Sequence, residues 1–139
     1  MKLISVITPL VALFSVASAV RVHHDHTYDN ANGLLSTTYC SNGGANTLSG
    51  FQYFSSLPSY PHIGAGNGAA CGECYQLKYN GSSIYVTVVS ETVVDGFFLS
   101  LKAVNDLIKD GAEDQAQDAQ VPKVFDAQST KVDWKNCDL

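Results

Sequence analysis

The sequence predicts a small, mainly β domain that carries one helix and is cross-linked by disulfides. Two β-rich runs flank Asn80-Gly81, a dipeptide typical of a tight hairpin turn. One helical apolar stripe follows Gly96. Four cysteines lie beyond a leader-like amino terminus, and an even number in an oxidising compartment is typical of a disulfide framework.

The amino terminus predicts a secretory signal peptide over residues 1–19. Lys2 gives a positive start, residues 3–16 are almost wholly apolar, and Ala17-Ser18-Ala19 is the small-x-small pattern that signal peptidase cuts. The apolar run is shorter than the ~20 residues of a membrane-spanning helix. We therefore expect a secreted, extracellular protein whose single domain covers residues 20–139.

The charge balance excludes several classes of partner. The chain has 8 basic and 13 acidic residues, and removal of Lys2 with the leader leaves 7 basic against 13 acidic, a net charge of −6. The remaining basic residues form no patch. Nucleic acids and anionic membranes are therefore not expected as partners.

Periodicity assigns the elements in order. Residues 20–28 alternate as an opening strand, and the glycine-rich residues 40–50 form a loop. The hairpin around Asn80-Gly81 follows a proline-punctuated connector. A helix is then predicted from its apolar stripe and ends before Gly111; the stripe consists of Phe97, Leu101, Val104 and Ile108, with Phe98 and Leu107 beside it. Two closing strands are predicted at 121–128 and 130–134.

Six segments carry a family resemblance in the right order. They are HHDHTYDNANG (23–33), in which Tyr28, Asp29 and Asn30 carry the match, CSNG (40–43), GFQYFSSLPSYPHIG (50–64), CGECYQLKYNGSSIYV (71–86), GFFLSLKAVNDL (96–107) and QSTKVDWKNCDL (128–139). Together with the cysteine positions they resemble the cerato-platanin family of small secreted fungal proteins. The matches cover nearly all of residues 20–139.

The resemblance implies a fold and a disulfide pairing. The fold is a six-stranded double-psi β-barrel with one or two short helices, related to the first domain of expansins. The implied disulfides are Cys40–Cys71 and Cys74–Cys137. The residues alone leave three connectivities open.

The resemblance also implies a function at cell walls. We expect binding of chitin-type or β-glucan oligosaccharides without hydrolysis, with wall loosening and recognition by a plant receptor as a defence elicitor. No cofactor is expected. The protein is expected to be a monomer or to self-associate weakly.

A carbohydrate site needs aromatic platforms beside amide and carboxylate groups, because sugars present apolar ring faces and hydroxyls. The candidate residues are Tyr28, Asp29, Asn42, Asn46, Ser90 and Glu91. Strand packing is the alternative explanation for each tyrosine.

Two other functions stay open. A weak lytic enzyme would need two carboxyl groups ~5–9.5 Å apart. Related barrels place an aspartate where this chain has Glu91 or, with one inserted residue, Ser90. No second carboxylate is identified, so no catalytic residue is predicted. The third hypothesis is a surface-active protein that assembles at interfaces.

The histidines near the amino terminus are outside the resemblance. His24 and His26 would share one face of the predicted strand, and imidazoles suit copper or zinc. Without a third ligand the pair favours an exposed strand, and no metal site is predicted. Cleavage after Val20 would place His23 third from a free amine, a copper-binding arrangement. Asn80 also begins a glycosylation sequon, and its occupancy stays open.

Overall fold

The computed structural model describes residues 17–38, 48, 50–108 and 124–139 of the 139-residue chain. Its strands and helix, in chain order, are β1 (Ser18–His24), β2 (Ile63–Asn67), β3 (Cys74–Tyr79), β4 (Ser82–Thr92), β5 (Phe97–Leu99), α1 (Leu101–Ile108) and β6 (Val124–Val132). Short 3₁₀ turns lie at His26–Asp29, Leu35–Thr37, Phe54–Ser56 and Trp134–Cys137. None of the helices in these residues has the length and apolar character needed to cross a bilayer.

The strands form a closed barrel in the order β1-β5-β2-β4-β3-β6. β1 is parallel to β5 and β2 is parallel to β4. The other pairings are antiparallel. Closure gives every strand of the barrel two neighbours, so no edge is left to pair with another chain. The prediction of a mainly β, six-stranded barrel with short helices is confirmed.

The predicted tight hairpin joins β3 to β4. Tyr79 pairs with Ser82, which leaves Asn80 and Gly81 as a two-residue loop. Their φ angles are 48° and 85°, and a type I′ turn requires positive φ at both positions. The turn therefore sets the register of the hairpin.

Apolar side chains from all sides fill the barrel. The inward positions of β4 meet β5 and one face of α1 in a single cluster. Its buried members are Val22, Ala69, Leu77, Ile84, Val86, Val88, Phe97, Leu99, Ala103, Val104, Leu107, Ile108 and Ala127. The helix therefore packs on the barrel through the apolar stripe that the sequence predicts.

A second apolar cluster lies on the outer side of β2 and β4. It contains Tyr28, Leu35, Leu48, Phe54, Leu57, Ile63, Ala65 and Val89. The pairing of β2 with β4 shifts register after Gly64. Such a bulge changes where side chains point. Val88 lies in the barrel, whereas Val89 packs in the outer cluster beside the segments that precede β2.

The opening strand is shorter than predicted. β1 ends at His24, and the prediction of strand through residue 28 is wrong. The side chain of Asp25 accepts a hydrogen bond from the N–H of Thr27 at 2.9 Å and starts the 3₁₀ turn His26–Asp29. An aspartate in this position favours a turn over continued extension.

The predicted helix begins four residues late, because Phe97–Leu99 is a strand. β5 lies between β1 and β2, so its side chains alternate with a period of two. The hydroxyl of Ser100 then accepts from the N–H of Ala103 at 3.1 Å, which is a helix N-cap. Gly111, the predicted helix end, lies outside the described residues.

The carboxyl-terminal segment forms one strand where two were predicted. Gln128 pairs with Ala19 of β1 and with Lys78 of β3, so β6 runs without interruption along both neighbours. Residues 121–123 lie outside the described residues.

A disulfide ties the start of β3 to the end of the chain. Cys74 and Cys137 are bonded, with their Cα atoms 5.9 Å apart, so this predicted pairing is confirmed. Cys71 is also disulfide-bonded. Cys40, its predicted partner, lies outside the described residues.

Gly96 is predicted to tolerate no side chain. It has a φ of 109°, and a β-carbon there would lie 2.3 Å from the carbonyl oxygen of Arg21 in β1. We expect Gly96→Ala to lower the free energy of unfolding by about 2 kcal/mol or more in urea denaturation. Gly50→Ala is the control, because a β-carbon at Gly50 meets no atom within 4 Å. Equal destabilisation by both substitutions would contradict the prediction.

Candidate functional site

The 3₁₀ turn after β1 lies against the first turn of α1. Asp29 Oδ1 accepts a hydrogen bond from the N–H of Leu101 at 2.6 Å, and Ser100 caps the N–H of Ala103. The first N–H groups of a helix have no partner within it. The two side chains satisfy two of these donors and hold Asp29 at the start of α1.

An open cavity of about 380 Å³ lies between this turn, α1 and the connector that precedes β2. It is lined by Tyr28, Asp29, Tyr60, Pro61, Ser100, Leu101, Lys102 and Asn105. We call it the Tyr60 groove. It combines aromatic rings with a carboxylate, an ammonium and an amide, which is the set of groups suited to sugar ring faces and hydroxyls.

A second cavity of about 600 Å³ adjoins the Tyr60 groove and shares Tyr60, Pro61 and Lys102 with it. Its further lining includes the half-exposed Tyr85 of β4 and polar groups from α1 and the carboxyl terminus. The two cavities therefore lie on either side of Tyr60 on one continuous surface.

Asp106 is held in the wall of this second cavity by two neighbours. His62 Nε2 lies 2.6 Å from Asp106 Oδ2, and Lys102 donates to Asp106 Oδ1 at 2.8 Å. Burial alone would raise the pKa of Asp106, but the hydrogen bonds from Lys102 and His62 outweigh it and lower the pKa. A general acid in glycoside hydrolysis needs the opposite shift.

Tyr28 and Ser90, two of the sequence-predicted binding residues, contact one another. The Tyr28 side chain is buried among the outer cluster, with its ring 5.7 Å from that of Phe54. Its hydroxyl is hydrogen-bonded with Ser90, while burial and then the negative charge of Asp25 raise the pKa of Tyr28 to about 12. Tyr28 is therefore a neutral phenol whose hydroxyl is already engaged with Ser90.

The remaining predicted residues differ in where they lie. Asp29 lines the Tyr60 groove. Glu91 is exposed on β4 opposite Gly66 and is not among the lining residues of the groove. Asn42 and Asn46 lie outside the described residues. Among the described residues, the structure thus brings together Tyr28, Asp29 and Ser90 near the groove, and Glu91 lies outside its lining.

Sequence reasoning missed Tyr60, Lys102 and Asn105. The helix pair had a usable signal, because Lys102 and Asn105 are three residues apart and so share one polar face of α1. Tyr60 lies in a connector between Pro58 and Pro61, where no periodic pattern marks it as a groove residue, and its side chain packs in part against the outer cluster.

The amino-terminal histidines divide between two environments. His23 stacks on Phe98 of β5, with ring centroids 4.2 Å apart. His24 and His26 lie together on the other side, where Asp29 joins them. One ligand atom from each of these three residues falls within 4.8 Å of the others.

The barrel, the disulfide and the groove together define the class of protein. It is a small, disulfide-linked β-barrel with an open groove of polar and aromatic residues at its rim. The family model described as cerato-platanin matches residues 20–139. The chain belongs to the cerato-platanin family, and the resemblance found in the sequence is confirmed.

Individual relatives agree with this assignment. Allergen Asp f 15 of Aspergillus fumigatus is 33% identical over 97 residues, covering 66% of this chain and 63% of that protein. The crystal structure of cerato-platanin 2 from M. perniciosa is 31% identical, with a TM-score of 0.73 over 88% of this chain and 100% of that one. The solution structure of the fungal elicitor cerato-platanin is 25% identical, with a TM-score of 0.63 over 85% and 96% of the two chains.

The Asp106 carboxylate should make stability depend on pH. Its lowered pKa means that it stabilises the fold above about pH 4, the range of an unfolded aspartate, and that this contribution is lost as the pH falls through the folded-state pKa. We expect Asp106→Asn to cost about 1–2 kcal/mol at neutral pH and progressively less below about pH 4 in urea denaturation.

Asp126→Asn is the matched control for this pH dependence. The Asp126 side chain is 77% exposed and lies 3.9 Å from Arg21 Nε, so its removal should change stability little at any pH. A cost of Asp106→Asn that stays constant from neutral to acid pH would contradict the prediction.

Proposed function

We propose that this chain is a secreted protein that binds chitin-type or β-glucan oligosaccharides in the Tyr60 groove, at the cell wall, and does not cleave them. The observation that carries the proposal is the groove itself. The ring of Tyr60 lies beside the polar groups of Asp29, Lys102 and Asn105 on one open surface, and the buried Tyr28 contributes to its lining.

Each group has a part in the proposed complex. The ring of Tyr60 would pack against the apolar face of a pyranose, because an aromatic side chain offers a large, flat apolar area. The polar side chains would hydrogen-bond to equatorial hydroxyls. Because the second cavity continues past Tyr60 to Tyr85, the surface suits an oligosaccharide better than a single sugar.

Binding without hydrolysis is favoured by the state of Asp29 in the Tyr60 groove and of Asp106 in the adjoining cavity. Asp29 accepts from the N–H of Leu101 through one oxygen and pairs with His24 through the other. Asp106 has both oxygens engaged and a lowered pKa. Hydrolysis needs a protonated carboxyl group beside the glycosidic oxygen, and neither group is arranged to supply it. The three relatives described above are named as an allergen, a cerato-platanin and an elicitor, and none of these names is that of an enzyme.

Secretion belongs to the same proposal. Cleavage after Ala19 would remove Ser18 and Ala19, whose partners in β6 are Ser129 and Gln128. From Val20 onward β1 keeps its remaining pairs with β6 and its whole pairing with β5. The barrel therefore tolerates loss of the leader.

Action on a host plant rests on similarity. One structural relative is described as a fungal elicitor. We extend to this chain recognition by a plant receptor as a defence elicitor, together with loosening of wall polymers by the groove. Neither role requires a cofactor.

Removal of the Tyr60 ring should weaken saccharide binding. We expect Tyr60→Leu to lower the affinity for a chitin oligosaccharide about tenfold, or ~1.4 kcal/mol, in calorimetric titration, because leucine has no flat ring to cover the face of a pyranose. Leucine keeps an apolar side chain against the outer cluster. Tyr53→Leu is the matched control, since Tyr53 is 40% exposed and lies outside the groove.

Three outcomes would contradict the proposal. Two of them are equal binding by wild type and Tyr60→Leu, and no binding by wild type at millimolar sugar. The third is the release of shorter sugars over several days, detected by mass spectrometry. If Asp29→Asn abolished that release in a folded protein, the lytic alternative would replace the binding function.

A further inference from the structure

The histidines that flank Asp25 are explained neither by the groove nor by the family resemblance. His24 is the last residue of β1 and His26 the first of the following 3₁₀ turn. Their rings meet edge to face, with centroids 4.5 Å apart. The turn then brings Asp29 back beside both rings, supplying the third ligand that a strand over residues 20–28 would not have provided.

We propose that His24, His26 and Asp29 form a binding site for a divalent transition metal, Zn²⁺ or Cu²⁺. His24 Nε2 lies 2.8 Å from Asp29 Oδ2, and His26 Nδ1 lies 3.4 Å from the same oxygen. The three ligand atoms all fall within 4.8 Å of one another. Two imidazoles and one carboxylate suit these ions.

Two of the three separations between ligand atoms fit a tetrahedral ion with little rearrangement. Zinc binds histidine nitrogen and carboxylate oxygen at ~2.0–2.2 Å, so neighbouring ligand atoms in a tetrahedron are ~3.3–3.6 Å apart. The separation of His26 Nδ1 from Asp29 Oδ2 already has this value. The pair of His24 and Asp29 needs to open by only about half an ångström.

Neighbouring hydrogen bonds hold Asp29 and the backbone between the two histidines in place. Asp29 Oδ1 accepts from the N–H of Leu101 at 2.6 Å, which leaves Oδ2 directed at the histidines. Between the histidines, the N–H of Asp25 donates to the carbonyl of Leu99 at 2.9 Å, and its side chain caps the 3₁₀ turn. Such outer contacts orient metal ligands and raise affinity.

The exposed fraction of the three side chains rises from His24 to His26, so an ion can reach the site from solvent on the His26 side. The side chains of His24, Asp29 and His26 are 12%, 29% and 77% exposed. The solvent-facing His26 side leaves a fourth coordination position for water or another ligand. Lys102, which lines the groove beside Asp29, is neutralised by Asp106.

Binding would replace the contact between His24 and Asp29 with two bonds to the metal. Nε2 of His24 and Nδ1 of His26 must each carry a lone pair, so any proton on these atoms is released to solvent when the ion binds. No electron transfer or covalent change in the chain is involved.

The test is a titration of the secreted protein, freed of metal by a chelator and with its amino terminus established by mass spectrometry. Calorimetry with ZnCl₂ and separately with CuCl₂ should give one saturable site per chain. The ring-proton NMR signals of His24 and His26 should shift in the Zn²⁺ titration. His26→Ala should weaken binding at least tenfold. Because His26 is exposed, this substitution should leave the fold intact, which the NMR spectrum of the variant checks.

Two further variants make the result decisive. Asp29→Asn keeps an oxygen for the N–H of Leu101 but removes the anionic ligand, and should also weaken binding at least tenfold. His23→Phe keeps the stack on Phe98 and should bind as wild type does. Absence of saturable binding by both metals, or loss in His23→Phe with retention in His26→Ala, would overturn the proposal. The second pattern would assign copper to the amino terminus instead.

Discussion

Three residues, Phe97–Leu99, hold the barrel closed. β5 is parallel to β1 and antiparallel to β2, and without it the sheet would open between those strands. Phe97 and Leu99 point into the barrel core, which stabilises this short strand by burial. Because Ser100 follows directly as a helix cap, the pairing that closes the barrel also sets where α1 begins. The groove at the rim depends on that position.

At that rim, one carboxylate joins three parts of the chain. Asp29 reaches the backbone of α1 with one oxygen and His24 with the other, and it lines the Tyr60 groove. A carboxylate held on both sides by donors is suited to binding and positioning more than to nucleophilic attack. The placement of Asp29 that favours the proposed saccharide binding without hydrolysis also completes the proposed metal-ligand set with His26. The two proposed roles share Asp29. They can be tested separately, because Tyr60 lines the groove and is not one of the proposed metal ligands.

The sequence predicted correctly those features that depend on neighbouring residues in the chain. Asn80-Gly81 specifies its turn through two positive φ angles, and the stripe on α1 specifies the face that packs. The predictions failed where a tertiary pairing overrides the period: Phe97 fits a helical stripe, yet barrel closure places it in β5. The site was predicted only in part for the same reason. Tyr28 and Asp29 lie near each other in sequence, whereas Tyr60 reaches the groove through a long-range arrangement that no single-sequence pattern encodes.

The most direct test of the central claim is an NMR titration of the isotope-labelled secreted protein with chitin and β-glucan oligosaccharides. Saturable chemical-shift changes should cluster on the residues of the Tyr60 groove, and the largest should occur at Tyr60 and Asn105. Residues at the opposite end of the barrel should not shift. Shifts restricted to the separate cavity lined by Glu73, Lys131 and Trp134, or no shift at millimolar sugar, would contradict the assignment of the Tyr60 groove as the saccharide site.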